Sequence, residues 1–283
     1  MNYRHAYHAG NFADVLKHVI LARVVTYLKL KPQPFRVIDL HAGAGRYDLA
    51  GIEAGKTGEW RDGIGRLLDA DLPSEVSQVL APYLDTIAAF NDGGDLKNYP
   101  GSPLIARALM RDGDTLVANE LHPEDAALLK SALRRQANSK VTTLDAWTAI
   151  KSLLPPPERR GVVLIDPPFE NPDEFQRMTD AIREGLQRFA NGVYIVWYPI
   201  KNAAAATNMV DAVARLGCPK MLDVRLKIAE PFPGLGLTET GVLLLNPPFN
   251  LKSELDVVMP ELVAVLGQDR GASFTIEEPA AKA

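Results

Sequence analysis

Short apolar, β-branched runs recur along this chain with helical stretches between them, and that alternation restricts it to an α/β fold built on a mainly parallel sheet. The runs predict strands over residues 35–40, 116–121, 141–144, 161–166, 192–197, 221–229 and 241–246. The last two are joined only by residues 231–238, too short for a helical crossover, so they are expected to pair antiparallel. Between the first two lie roughly 75 residues, where a plain βαβ connection needs about half as many. The excess predicts an inserted helical subdomain over 48–111, with helical spacing at 60–68 and 75–90 and a turn at Asn91-Asp92-Gly93-Gly94-Asp95. The main domain is then 1–47 plus 112–270. Ahead of the sheet, 12–30 reads as a helix capped by Asn11, and 271–283 reads as a flexible tail.

Composition narrows the partners. A chain of 283 residues with 47% hydrophobic content can bury a large core. No run approaches the ~18 apolar residues of a membrane span, and Met1-Asn2-Tyr3-Arg4-His5 does not open a signal peptide. The lone Cys218 forms no intramolecular disulfide. Both readings place the protein in the cytoplasm. Lys and Arg total 31 against 35 acidic residues, a net charge of −4, so any nucleic-acid contact has to come from a local basic patch.

The chemistry gathers at strand ends. Asp39-Leu40-His41-Ala42-Gly43-Ala44-Gly45 follows the first strand, where glycines let the backbone turn tightly and approach a ligand. That loop alone suits NAD, FAD or S-adenosylmethionine, and it also suits a purely structural turn. Glu120 ends the second strand, where a carboxylate can take both hydroxyls of a ribose. Asp145 follows the third, placed to accept from an adenine amino group. Either acid alone reads as a solvated loop residue; at the ends of successive strands they favour an adenosyl cofactor.

Asp166-Pro167-Pro168-Phe169 separates the possibilities. It closes the buried run Gly161-Val162-Val163-Leu164-Ile165. The prolines fix an extended chain whose carbonyls are free to accept from an amine, and Phe169 offers a face to a base. Hydride transfer has no use for such a corner, whereas methylation of an exocyclic amine does: N–H bonds to Asp166 and a proline carbonyl would aim the nitrogen at a methyl group. With the antiparallel last strand, this indicates the Rossmann-like class I methyltransferase fold, a seven-stranded, mostly parallel sheet. A second corner, Asn246-Pro247-Pro248-Phe249, carries Asn, which cannot take a proton, and reads as a rigid strand exit.

The five histidines are His5, His8, His18, His41 and His122. No cysteine or paired acid joins them at metal-ligand spacing, so no metal is expected. Tyr3-Arg4-His5-Ala6-Tyr7-His8 interleaves rings and cations as a grip on a single-stranded or flipped nucleotide would, although packed tyrosines at an irregular N-terminus give the same pattern.

Tyr3-Arg4-His5, His8-Ala9-Gly10-Asn11, Ala13-Asp14-Val15-Leu16-Lys17-His18, His41 to Tyr47, Pro100-Gly101-Ser102-Pro103, Glu120-Leu121-His122-Pro123 and the Asp166 corner together resemble the RlmJ-type 23S ribosomal RNA adenine-N6 methyltransferases. The resemblance runs from Tyr3 to about Leu262. It implies a monomer that uses S-adenosylmethionine on one adenine of 23S ribosomal RNA, protein-free or in early assembly. By matching positions it implies that His18, His41, Ser102, Glu120, Asp145, Ala146 and Asp166 line the cofactor. Asp166, with Pro167 and Phe169, would be catalytic, while Tyr3, Arg4 and Phe169 would meet the RNA. The family pattern has Tyr where this chain has Phe169, which keeps stacking without a hydroxyl, and Gly where it has Ala146, which tightens the adenine pocket. Arg4, Arg46 and Lys201 are the candidate phosphate contacts. The competing functions are a DNA adenine-N6 or protein glutamine methyltransferase, an RNA-binding module without catalysis, and a dehydrogenase.

Overall fold

In the computed structural model, which describes residues 5–280 apart from 233 and 235, the strands are β1 (Arg36–Asp39), β2 (Arg46–Asp48), β3 (Asn98–Pro100), β4 (Thr115–Asn119), β5 (Ser139–Thr142), β6 (Gly161–Ile165), β7 (Val193–Pro199), β8 (Met221–Lys227), β9 (Glu239–Leu245) and β10 (Ser273–Glu277). Eight form one sheet in the order β10-β8-β9-β7-β6-β1-β4-β5. β1, β4, β5, β6 and β7 run parallel, and β9 lies antiparallel between β7 and β8. The seven expected strands are all present.

Two differences concern strands. Ser273–Glu277, expected to fray, is β10 and pairs antiparallel with β8. It alternates Ser-Phe-Thr-Ile-Glu, so Phe274 and Ile276 turn to the core while the others face outward, the pattern of an edge strand. β2 and β3 form a separate antiparallel ribbon at the foot of the insertion. Three residues each is too short for a period-2 pattern to show in sequence.

Burial on both faces explains why β6 reads as an unbroken apolar run. Along β6 every residue is buried, and alternate side chains go to opposite cores: Val162 and Leu164 to one, Val163 and Ile165 to the other. The first core is covered by helix α1 (Phe12–Leu28) together with Ser74–Ala89, Ser102–Leu109 and Leu251–Leu266. Helices Ala146–Leu153, Glu174–Arg188 and Ala203–Ala214 cover the second. Asn11 caps α1 by accepting from the Asp14 N–H at 3.0 Å. Residues 48–111 have no core of their own: Ile64, Leu67, Leu80, Tyr83 and Tyr99 join α1 in the first core. The ribbon closes this segment at Arg46 and Pro100, leaving Ser102–Leu109 packed on β1 and β4.

Candidate active site

β1 pairs with β4 on one side and β6 on the other, so the chain reverses its direction of build at β1. An open α/β sheet forms its crevice at the C-terminal ends of the strands beside such a switch point. Asp39, Glu120, Asp145 and Asp166 therefore converge there, although up to 127 positions separate them in sequence (166 − 39). Asn119 holds the loops in place, donating to the Leu40 and Leu144 carbonyls at 3.1 and 2.9 Å.

Two cavities meet at this edge. One cleft is lined by His18, His41, Ser102, Glu120, Asp145 and Ala146, so the residues matched to the cofactor lie together. A second holds Phe169 and Trp197 on one side and Asn11, Glu59, Asp62 and Lys201 on another. His5, Lys17, Asp166, Pro167 and Pro168 line both and form the wall between them.

In the first cleft, Gly43 has φ 58°, and a Cβ there would collide with the Tyr47 hydroxyl. Only glycine fits this turn. Glu120 accepts from the Gly43 and His122 N–H groups at 2.9 and 2.7 Å, one on each oxygen, so each keeps lone-pair capacity for a hydroxyl. Burial raises its pKa despite those bonds. Asp145 caps the next helix with Oδ1, at 3.1 Å from both the Trp147 and Thr148 N–H groups, and its Oδ2 lies 3.7 Å from Arg177. Burial depresses His41 to about 4, outweighing Asp166 and Asp145, so the ring is neutral and its Nδ1 accepts from the Asp166 N–H at 3.2 Å. Leu121, Trp147 and Ala146 add apolar wall. An acidic diol acceptor, an apolar slot and a buried, unpartnered His18 Nε2 make a donor and acceptor set that fits S-adenosylmethionine.

Asp39 lies beneath this cleft and is 1% exposed. Burial raises its carboxyl to about 7, against the opposing bonds from Ser102 Oγ (2.6 Å) and the His41 N–H (3.2 Å). Because the folded pKa exceeds the unfolded one, the protonated form favours folding. The stability this group contributes is complete below about pH 4 and is lost as pH rises through 7. Asp39→Asn keeps the shape and cannot ionise, so urea melts should fall less from pH 5 to pH 8 than in wild type; parallel profiles would refute the assignment.

Between the cavities lies an ion network that the strand-end reasoning missed. Lys17 Nζ sits 2.5 Å from Asp166 Oδ2 and 2.8 Å from Asp14 Oδ1, with Lys17 and Asp14 almost wholly buried. Asp14 also accepts from His5 Nε2 and the Gly10 N–H, both at 2.9 Å. Burial opposes the charge on Lys17, but Asp14 and Asp166 outweigh it and hold the amine above the usual lysine range. Burial likewise pushes Asp14 up, yet the facing His5 and Lys17 bring it well below the usual carboxylate range. The available signal was charge at i, i+3 and i+4 (Asp14, Lys17, His18) inside an apolar helix, where buried charges must be paired.

In the second cavity Phe169 has φ 52° and packs edge-on against Phe175 and Trp197, with centroids 5.0 and 5.8 Å apart. Glu59, from the insertion, binds His8 at 3.0 Å and Asn11 at 2.9 Å. Lys201 is exposed and lines this cavity, whereas the exposed Arg46 stacks over Phe90. Tyr3 and Arg4 lie outside the described residues. The Asn246 corner sits at the opposite edge of the sheet, because β9 is antiparallel and Leu245 registers with Tyr194 near the start of β7. Asn246 Nδ2 is spent on the Ala190 and Gly192 carbonyls, both at 2.9 Å, and Phe249 faces solvent.

The family model described as "Ribosomal RNA large subunit methyltransferase D, RlmJ" matches residues 32–277, most of the chain. The chain belongs to the RlmJ family. Curated relatives named "Ribosomal RNA large subunit methyltransferase J" agree with it throughout. That of Escherichia coli K12 is 41% identical over 263 residues, 93% of this chain and 92% of its own. That of Haemophilus influenzae is 39% identical over 279 residues, 98% of each. The crystal structure of protein LPL1258 from Legionella pneumophila superposes with a TM-score of 0.87 at 33% identity, covering 96% of this chain and 98% of that one. The chain is thus a methyltransferase with the Rossmann-like class I fold expected of the RlmJ family. Neither a dehydrogenase nor a passive binding module is favoured. Among the described residues no helix is long and apolar enough to cross a membrane.

Proposed function

We propose that this chain transfers a methyl group from S-adenosylmethionine to the exocyclic N6 of one adenine in 23S ribosomal RNA, acting as a cytoplasmic monomer on RNA that is protein-free or in early assembly. The observation that carries the site assignment is the shared wall: Asp166 and the two prolines border a cleft suited to the cofactor on one side and an aromatic-walled pocket on the other. Bound S-adenosylmethionine would supply an electrophilic methyl group on sulfur. Everything else falls to the protein, and it is mainly positioning.

Glu120 would take the ribose hydroxyls, and Asp145 with Ala146 would meet the adenine ring through the carboxylate oxygen that does not cap the helix. His18, His41 and Ser102 line the same cleft. In the second pocket the target adenine, flipped from its stack, would rest on Phe169. Its amino group would donate to Asp166 and to the Pro167 carbonyl. Lys17 occupies Asp166 Oδ2, which leaves Oδ1 to accept that N–H and fixes the plane of the carboxylate. Tyr3 and Arg4 would meet the RNA, with Lys201 near a phosphate.

The decisive experiment incubates the protein with methyl-labelled S-adenosylmethionine and, separately, 23S RNA, DNA and protein, then maps modified adenines by mass spectrometry in RNA from cells with and without the gene. Label in RNA at a single N6-methyladenine that disappears with the gene is expected. Label in DNA or protein alone would overturn the RNA assignment.

A further inference from the structure

His18 carries a feature that neither its position nor its burial explains. The ring is 1% exposed and lines the cofactor cleft. Its Nδ1 lies 2.6 Å from the Tyr99 hydroxyl, and that hydroxyl lies 3.0 Å from the hydroxyl of Tyr83, which is also buried. Its Nε2 is buried with no hydrogen-bond partner. Tyr99 belongs to β3 and Tyr83 to helix Ser74–Ala89, so both partners come from the insertion.

Hydrogens can be assigned to this chain in two directions. If Nδ1 carried the proton and donated to Tyr99, Tyr99 would donate to Tyr83, and the Tyr83 O–H would be left as a buried donor without an acceptor. Nε2 would then aim a lone pair toward the Asp14 carboxylate, whose Oδ1 is 3.9 Å away, and the two would repel. In the other direction Tyr83 donates to Tyr99, Tyr99 donates to Nδ1, and both hydroxyl hydrogens are used. Nε2 then carries the ring proton, attracted by Asp14. Burial keeps the ring neutral, lowering it to about 3, so one tautomer has to be chosen.

We propose that Tyr83 and Tyr99 are positioning residues for the cofactor: their hydroxyls form a one-way chain that holds His18 as the Nε2–H tautomer and presents a donor to the carboxylate of the cofactor's amino-acid end. Residues 48–111 thereby act on a cleft whose strand-end carboxylates, Glu120, Asp145 and Asp166, all lie outside them. The inference rests on the S-adenosylmethionine reading of that cleft.

The test begins on the wild-type, ligand-free protein. Long-range nitrogen-15 NMR, with the His18 signal identified by its absence in His18→Asn, should show Nδ1 unprotonated and Nε2 protonated at pH 7. Calorimetry with S-adenosylhomocysteine should then show affinity about tenfold weaker in Tyr99→Phe and about threefold weaker in Tyr83→Phe, the sizes expected for losing one hydrogen bond or its second member. Protonation at Nδ1 in the free protein would overturn the chain. So would unchanged affinity in a Tyr99→Phe protein whose circular dichroism matches wild type. If wild type failed to bind S-adenosylhomocysteine although His18 showed the stated tautomer, the cofactor reading would fall and the proposal with it, leaving the hydroxyl chain as a structural feature only.

Discussion

Asp166→Ala should lower methyl transfer to large-subunit RNA by about a thousandfold or more, because in-line transfer between two bound groups depends on holding the nitrogen in place. The loss should be specific to transfer. Asp166 is one of two acids facing Lys17, and Asp14 remains 2.8 Å from that amine in the variant, so no buried cation is stranded. Glu120, Asp145 and the Gly43 turn do not hydrogen-bond to Asp166, so S-adenosylhomocysteine affinity should change only a few-fold by calorimetry. The His41 ring accepts from the Asp166 backbone N–H, a bond that alanine retains. Single-turnover assays with methyl-labelled cofactor give the rate directly. Activity within tenfold of wild type would remove Asp166 from the reaction.

Lys17→Met is expected to act on folding as well as on transfer. Lys17 is the charge between Asp14, which is 1% exposed, and Asp166. Taking one partner out of a buried ion pair costs about 3–5 kcal/mol, since the remaining charge is left in low dielectric. His5 and the Gly10 N–H still contact Asp14 and place the loss toward the lower end of that range. Urea melts of Lys17→Met and of Lys17→Met with Asp14→Asn separate charge from packing: the double variant should be more stable than the single. Equal midpoints would mean that the uncompensated Asp14 charge is not what destabilises Lys17→Met.

Local information carried well where one physical rule governs one stretch of chain. β6 was legible because a strand buried on both faces favours an unbroken apolar run, and Gly161 to Ile165 is one. The α1 cap was legible because Asn11 needs only the N–H three residues on. The short linker ahead of β9 dictated an antiparallel partner, and β8 is that partner. β10 was missed because a polar, proline-containing tail looks unable to fold, although its five alternating residues needed only an open sheet edge.

The sequence by itself determined the alternation of strands and helices, the carboxylates at strand ends and the Asp166 corner, since each follows from backbone geometry or from residues adjacent in the chain. Tertiary structure alone decided the strand order that puts β1 between β4 and β6, the division into two cavities, and the pairing of Lys17 with Asp166 across 149 positions. It also decided that the insertion's Tyr83 and Tyr99 reach His18. These are long-range contacts between groups that carry no periodic signal. What fixes them is the packing of the whole chain, in which a buried charge or hydroxyl has to find its partner wherever the fold delivers one.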